Sequence, residues 1–257
     1  MKKLSVILDG ARHPHLNMAL DYTLLESRAL RGEAVLRLYT WLPPGVSLGR
    51  RQEARGTVNV GEASRRGYVV VKRPTGGATL LHETFGELTY SLVLPASSQL
   101  YQASIEESSS IIAGAVAEAL RVNGVPARVG GFQGVGREEN ICLLRSGFAD
   151  IVVDGRKVSG SAQYRSSSGL LQHGSILLEF NPETWLALVK SESSIIELVE
   201  HVAGLWDLGY RVDRAGLAVS IAASVSSLLG LPPVYSYVHP REMEKALELV
   251  ARGRFNP

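Results

Sequence analysis

Apolar positions in this chain recur at two spacings, every second residue and every third or fourth, and their segments follow no regular strand–helix–strand repeat. Residues 4–8 read as a first strand. Asn17 stands where it would cap a helix over residues 18–30, with Leu20, Leu24 and Leu25 on one face and Gly32 just past its end. Residues 34–41 and 46–48 read as adjacent strands joined across Pro43-Pro44-Gly45, and a short helix over 62–66 leads into a buried strand at 68–72. Arg73-Pro-Thr-Gly-Gly77 breaks that strand, and residues 88–94 resume sheet. A long helix follows over about 104–122, with Ile111, Ile112, Val116 and Leu120 at helical spacing. Residues 130–147 mix glycines and charges without a period and read as a flexible loop.

An antiparallel meander comes next. Residues 150–153 turn at Asp154-Gly155, a favoured two-residue hairpin sequence, into 157–164, and a second turn at 166–169 leads into 170–180. The last third reads as helical, with a capping box at Ser194 and Glu197, a helix opened by Asp213, and Pro240 suited to a first helical turn. The pattern predicts an α+β fold of mixed and antiparallel sheets flanked by helices. It is expected as a single domain over residues 1–257, with a helical extension after about residue 232, where Pro232-Pro233 marks a candidate boundary.

Composition narrows the function classes. Lys and Arg number 27 against 25 Asp and Glu, a formal net charge of +2, and Arg121, Arg128 and Arg137 are dispersed, so no nucleic-acid partner is expected. The apolar run 215–231 is interrupted by Gly216 and serines and falls short of a membrane span. Met1-Lys-Lys leads too quickly into Asp9-Gly10 for a signal peptide, and a cytoplasmic protein is expected. A single cysteine allows no internal disulfide, and no CxxC or HExxH spacing suggests a metal.

That cysteine, Cys142, precedes the Asp154-Gly155 hairpin, and Lys157 just beyond the turn offers a positive charge to stabilise a thiolate nucleophile. Arg73 is suited to pairing with a carboxylate or phosphate, and Gly76 and Gly77 let a ligand lie against bare amides. His82 follows as a support for that loop or as an ordinary core histidine. Gly160, Ser161 and Ala162 leave room in mid-strand for an apolar substrate, and Lys157 on the same strand is placed to reach a carbonyl held in that gap. His173 with Gly174 interrupts the neighbouring strand in the same way. Neither Ser161 nor Ser175 sits in a GxSxG elbow, and the glycine run 130–136 lacks the strand–helix setting of a dinucleotide fingerprint.

The blocks Asn17-Met-Ala-Leu-Asp21, Trp41 with Val46-Ser-Leu-Gly-Arg-Arg-Gln52, Arg73-Pro-Thr-Gly-Gly77 with His82, Leu88-Thr-Tyr-Ser91 and Gly155-Arg-Lys-Val-Ser-Gly-Ser-Ala162 stand in this order. Together they resemble the lipoate/biotin protein ligase and octanoyltransferase superfamily, through about Phe180. The resemblance implies a biotin/lipoate protein ligase-like catalytic domain, with Lys157 as the shared lysine at the acyl carbonyl. Cys142 falls where cysteine-dependent octanoyltransferases carry their nucleophile. On that reading Cys142 and Lys157 are catalytic, and Arg73, Gly76, Gly77, His82, Gly160, Ser161, Ala162 and His173 bind substrate. The implied donor is octanoyl-acyl carrier protein and the acceptor a lysine of a lipoyl-domain protein or glycine-cleavage H protein, with no cofactor. Two alternatives stay open: an ATP- and Mg-dependent lipoate-protein ligase that activates free lipoate or octanoate to an acyl-adenylate, and a non-catalytic acyl-binding protein.

Overall fold

A computed structural model describes residues 1–134 and 139–257; Val135, Gly136 and Arg137, named above in the glycine run and among the dispersed arginines, lie outside the described residues. The chain runs β1 (Leu4–Arg12), α1 (Pro14–Ser27), β2 (Ala34–Trp41), β3 (Gly45–Leu48), α2 (Ala54–Thr57), α3 (Val60–Arg65), β4 (Val69–Lys72), β5 (Leu80–His82) and β6 (Glu87–Pro95). It continues through α4 (Gln99–Gln102), α5 (Ile105–Val122), β7 (Arg128–Val129), β8 (Ile151–Val153), β9 (Arg156–Ser166) and β10 (Gly169–Leu177). It closes with α6 (Pro182–Leu188), α7 (Ile195–His201), α8 (Arg214–Leu229), β11 (Pro233–Ser236) and α9 (Pro240–Ala251). Among the described residues, no helix is long and apolar enough to cross a membrane.

An eight-stranded sheet has the order β11-β1-β2-β6-β10-β9-β8-β7, and a three-stranded sheet the order β4-β3-β5. β1 runs parallel to both β11 and β2, while β6, β10, β9 and β8 follow antiparallel. This is the α+β architecture that the mixed periods predict. One face of the large sheet is sealed by α5 and α8, whose Ile112, Val116, Leu120, Leu217, Ile221 and Val225 pack on Leu36, Leu92 and Ile176. Ser104 caps α5 by accepting the Glu107 N–H at 3.0 Å, an interaction worth about 1 kcal/mol. Ile111 is 37% exposed, since one residue of helical rotation carries it off the stripe that Ile112 shares. The opposite face carries α1 and the small sheet, and the candidate site lies between the two sheets.

Several expectations need correction. Asn17 does not cap α1: the helix begins at Pro14, whose fixed φ and missing N–H suit a first turn. Asn17 is buried instead, donating to the Thr40 carbonyl at 3.1 Å and accepting from Arg37 Nη2 at 2.6 Å. The helix also ends earlier, at Ser27, followed by a 3-10 turn that Gly32 closes with φ +77°. β2 and β3 are consecutive but unpaired, because the chain crosses between them from one sheet to the other. Both strands are buried along their whole length, so their apolar runs carry no sign of which sheet they join. β10 stops at Leu177 rather than residue 180. Beyond Pro232, where the pattern predicts only helix, β11 adds an edge strand in register Leu4↔Pro233 to Ile7↔Ser236. An edge position tolerates Pro233, which has no N–H to donate. α9 then packs on α1, and it and the turn after it bring Ala246 and Phe255 to Met18, Tyr39 and Trp41.

The meander is as expected: the hairpin turns at Asp154-Gly155, with both residues at positive φ, +50° and +80°. The capping box at Ser194 and Glu197, the Asp213 cap and Pro240 in the first turn of α9 are also present.

Candidate active site

Strand register builds the floor of a narrow cavity. Ser175 of β10 lies opposite Gly160 of β9 on one side and Thr89 of β6 on the other, and Thr89 in turn lies opposite Tyr39 of β2. This row crosses four adjacent strands, so it spans three inter-strand steps, about 14 Å. Ala162 and His173 form part of the next row on the same face. Ser47, Arg73, Leu80, His82, Met18 and Trp41 also line it, and Cys142 sits at the β9 side, its carbonyl on Lys157. Apolar walls with a few placed polar groups are the usual make-up of a small-molecule pocket.

Cys142 also lines a second, open cleft with Gly77, Ala78, Arg145, Gly147, Asp150 and Lys157. Among the described residues only Cys142, Gly160 and Ser161 belong to both spaces, so the half-buried sulfur-bearing residue marks their junction. Its turn is fixed locally. The Cys142 N–H donates to the Thr79 carbonyl at 2.9 Å, and Leu143 and Leu144 are buried among Val46, Leu48, Ile141 and Leu188.

Lys157 is 2% exposed and its ammonium is fully committed. It lies 2.7 Å from Asp150 Oδ1 and donates to the carbonyls of Arg145 at 2.8 Å and of Cys142 at 3.3 Å. Thus it meets the cysteine's own carbonyl rather than one held in the Gly160 gap. Gly160 makes room for this reach: a Cβ there would stand 3.2 Å from Lys157 Cε. Burial pushes the Asp150 carboxyl above its ordinary value, and the Lys157 charge only partly offsets that.

Arg73 is also buried, and its guanidinium binds no carboxylate among the described residues. It donates to the carbonyls of Ser47 at 2.9 Å, Gly76 at 2.8 Å and Ala78 at 2.6 Å, folding the glycine loop around itself. Burial holds it below the usual guanidinium value. Gly76 therefore serves through its carbonyl and lines neither space, whereas Gly77, at φ +92°, lines the outer cleft. A Cβ at Gly49 would stand 1.9 Å from the Gly77 oxygen, so bare backbone at Gly49 is what lets the loop close.

Two buried hydroxyl–imidazole–carboxylate chains flank the cavity. Thr75 Oγ1 lies 2.7 Å from His173 Nε2, and His173 Nδ1 lies 3.2 Å from Asp21 Oδ2. Burial lowers the His173 imidazole's affinity for a proton despite Asp21. Burial opposes ionisation of Asp21 too, but the His173 hydrogen bond and the Arg37 charge prevail and hold it below its ordinary value. Ser47 Oγ lies 2.8 Å from His82 Nε2, and His82 Nδ1 lies 3.0 Å from Glu87, with the ring stacked 3.7 Å from Trp41. Their depth suits them to hold the loop and the cavity wall rather than to attack.

The structure therefore brings together Cys142, Lys157, Arg73, His82, Gly160, Ser161, Ala162 and His173, sets Gly77 in the outer cleft, and leaves Gly76 off both surfaces. Sequence reasoning missed Met18, Tyr39, Trp41, Ser47, Thr89 and Ser175 on the inner wall and Asp150 beside Lys157. Hydroxyls at alternate buried strand positions, Thr89 and Ser175, were the available signal.

The lipoyl protein ligase A/B catalytic-domain model matches residues 13–216. Octanoyltransferase LipM of Kyrpidia tusciae is 34% identical, covering 98% of this chain and 96% of the relative, and that of Moorella thermoacetica is 32% identical, covering 95% and 92%. Among solved structures, a lipoate-protein ligase A bound with ATP superposes with a TM-score of 0.82 at 22% identity, over 98% of this chain and 95% of that one. The bi-partite lipoate protein ligase of Thermoplasma acidophilum gives 0.82 at 20% identity, over 98% and 93%; at these identities the likeness is one of fold. The match along nearly the whole chain places the protein in the lipoyl protein ligase A/B catalytic-domain family, an acyltransferase in the company of its octanoyltransferases.

Proposed function

We propose that the protein moves an octanoyl group from octanoyl-acyl carrier protein to a lysine of a lipoyl-domain protein or glycine-cleavage H protein, through a thioester on Cys142. One observation carries this reading: the chain's sole cysteine stands at the junction of an open cleft and a narrow cavity whose floor row crosses about 14 Å of sheet. The acyl tail lies across the strands, from Gly160 toward Tyr39, and its carbonyl sits at the junction.

The Cys142 sulfur attacks the thioester carbon, the bond to the carrier sulfur breaks, and the carrier leaves as its thiol with a proton. The acceptor amine, as the free base, then attacks the acyl-enzyme. An amide forms, the carbon–sulfur bond to Cys142 breaks, and the amine's proton returns to sulfur. Thioester to amide runs downhill, so no cofactor is required. Lys157, held by Asp150, fixes the carbonyl of Cys142 and so the aim of its sulfur. Arg73, His82 and His173 hold the walls, and Gly160, Ser161 and Ala162 keep the floor low. The reaction is assigned to the cytoplasm.

Incubation with octanoyl-carrier protein should add one octanoyl mass to Cys142. A Cys142→Ser variant should show no adduct and lose at least about a thousandfold in turnover. Full activity of that variant with free lipoate, ATP and Mg²⁺ would instead establish the ligase chemistry.

A further inference from the structure

Two buried cations border the spaces that Cys142 lines, and their surroundings differ in one decisive respect. Lys157 is neutralised: its ammonium lies 2.7 Å from Asp150, and both side chains are almost fully buried, at 2% and 4% exposure. Such a pair adds little net field at the neighbouring sulfur, because the two charges oppose each other at short range. Arg73 has no such partner among the described residues. Every acceptor of its guanidinium is a carbonyl or the Ser47 hydroxyl, all formally neutral. A cation held this deep without an anion is costly, so its retention calls for a counter-charge that arrives with function.

The position of that counter-charge follows from the backbone. The Ala78 carbonyl accepts from Arg73 Nη2 at 2.6 Å, and the next carbonyl, of Thr79, accepts from the Cys142 N–H at 2.9 Å. Arg73 and Cys142 both line the inner cavity. The remaining charges facing this region are accounted for. His173 pairs with Asp21, which is balanced by Arg37, and Arg37 also meets Asp9. Glu87 lies behind Ser47 and His82, three hydrogen bonds from the guanidinium. Arg145, with its Nε on the Glu139 carbonyl, is only half-buried in the open outer cleft, where water screens its charge.

We propose that Arg73, not Lys157, supplies the uncompensated positive charge that faces the Cys142 thiolate, and that Lys157 with Asp150 positions the cysteine's turn. Among the described residues, Cys142 is the one group whose negative charge would favour the protonated guanidinium against its burial. The assignment rests on the reading of Cys142 as nucleophile. It revises the expectation that Lys157 stabilises the thiolate.

The test uses iodoacetamide, whose iodide the sulfur displaces; because Cys142 is the only cysteine, every alkylation reports it. Rates are measured across pH without any acyl donor. Arg73→Gln should move the pH profile about one unit to the alkaline side and slow alkylation about tenfold at neutral pH, the energy of one unit. Arg73→Lys should restore the wild-type profile. The charge-balanced double variant Lys157→Met with Asp150→Asn should stay within a few tenths of a unit of wild type. A profile of folded Arg73→Gln that coincides with wild type would overturn the assignment. So would a shift of a full unit in the double variant, which decides the matter even if Arg73→Gln does not fold. Absence of an octanoyl adduct on wild type would defeat the acyl-enzyme reading alone, since alkylation needs no acyl donor.

Discussion

At the scale of single residues, the site depends on where side chains are missing as much as on where they stand. Gly49 is the sharpest case. A Cβ there would meet the Gly77 oxygen at 1.9 Å and its carbonyl carbon at 2.9 Å, and neither backbone atom can yield without moving the loop that Arg73 organises. Gly49→Ala is expected to cost about 1–3 kcal/mol of stability. It is also expected to lower kcat/KM about a hundredfold through misplacement of the cavity rim. Thermal melts and initial rates check both. The sequence revealed Cys142, Lys157 and Gly160 because each is a chemical oddity where it stands: a lone thiol, a lysine after a tight turn, a glycine in mid-strand. It concealed Tyr39, Thr89 and Ser175, which become neighbours only through pairing of strands far apart in the chain. Asp150 stands in the predicted hairpin, but its pairing with Lys157 shows only once the two strands are in register.

At the scale of elements, local signals set the start of α5 and the β8–β9 hairpin, whose caps and turn residues act within a few positions. They failed for the β2–β3 pair and for β11, whose partners are chosen by the sheet and not by the segment. α9 is fastened by a buried pair in which Arg28 meets Glu242 at 2.8 Å, with Arg28 also donating to Ser5 and to the Tyr237 carbonyl. Burial opposes ionisation of Glu242, yet the Arg28 hydrogen bond, the His239 N–H and the Arg28 charge prevail and keep it below its ordinary value. A carboxyl depressed in the folded state stabilises above its unfolded value, near about 4.3, and that stability drains away as pH falls through the folded value. Glu242→Gln is therefore expected to cost about 3 kcal/mol at neutral pH, as for a broken buried pair. The gap from wild type should close as pH falls below 4, which denaturant melts across pH will read.

At the scale of the whole molecule, two sheets face each other and the cleft between them meets solvent where Cys142, Gly160 and Ser161 border both spaces. On the proposed route an acyl chain stored in the inner space leaves its carbonyl at that border, where carrier thiol and incoming amine need the same position. Donor and acceptor proteins must then visit in turn, the first departing before the second arrives. Initial rates measured against both partners should give parallel double-reciprocal lines, the mark of a covalent relay, and intersecting lines would speak against it. On that route two visitors share one doorway, and they have to queue.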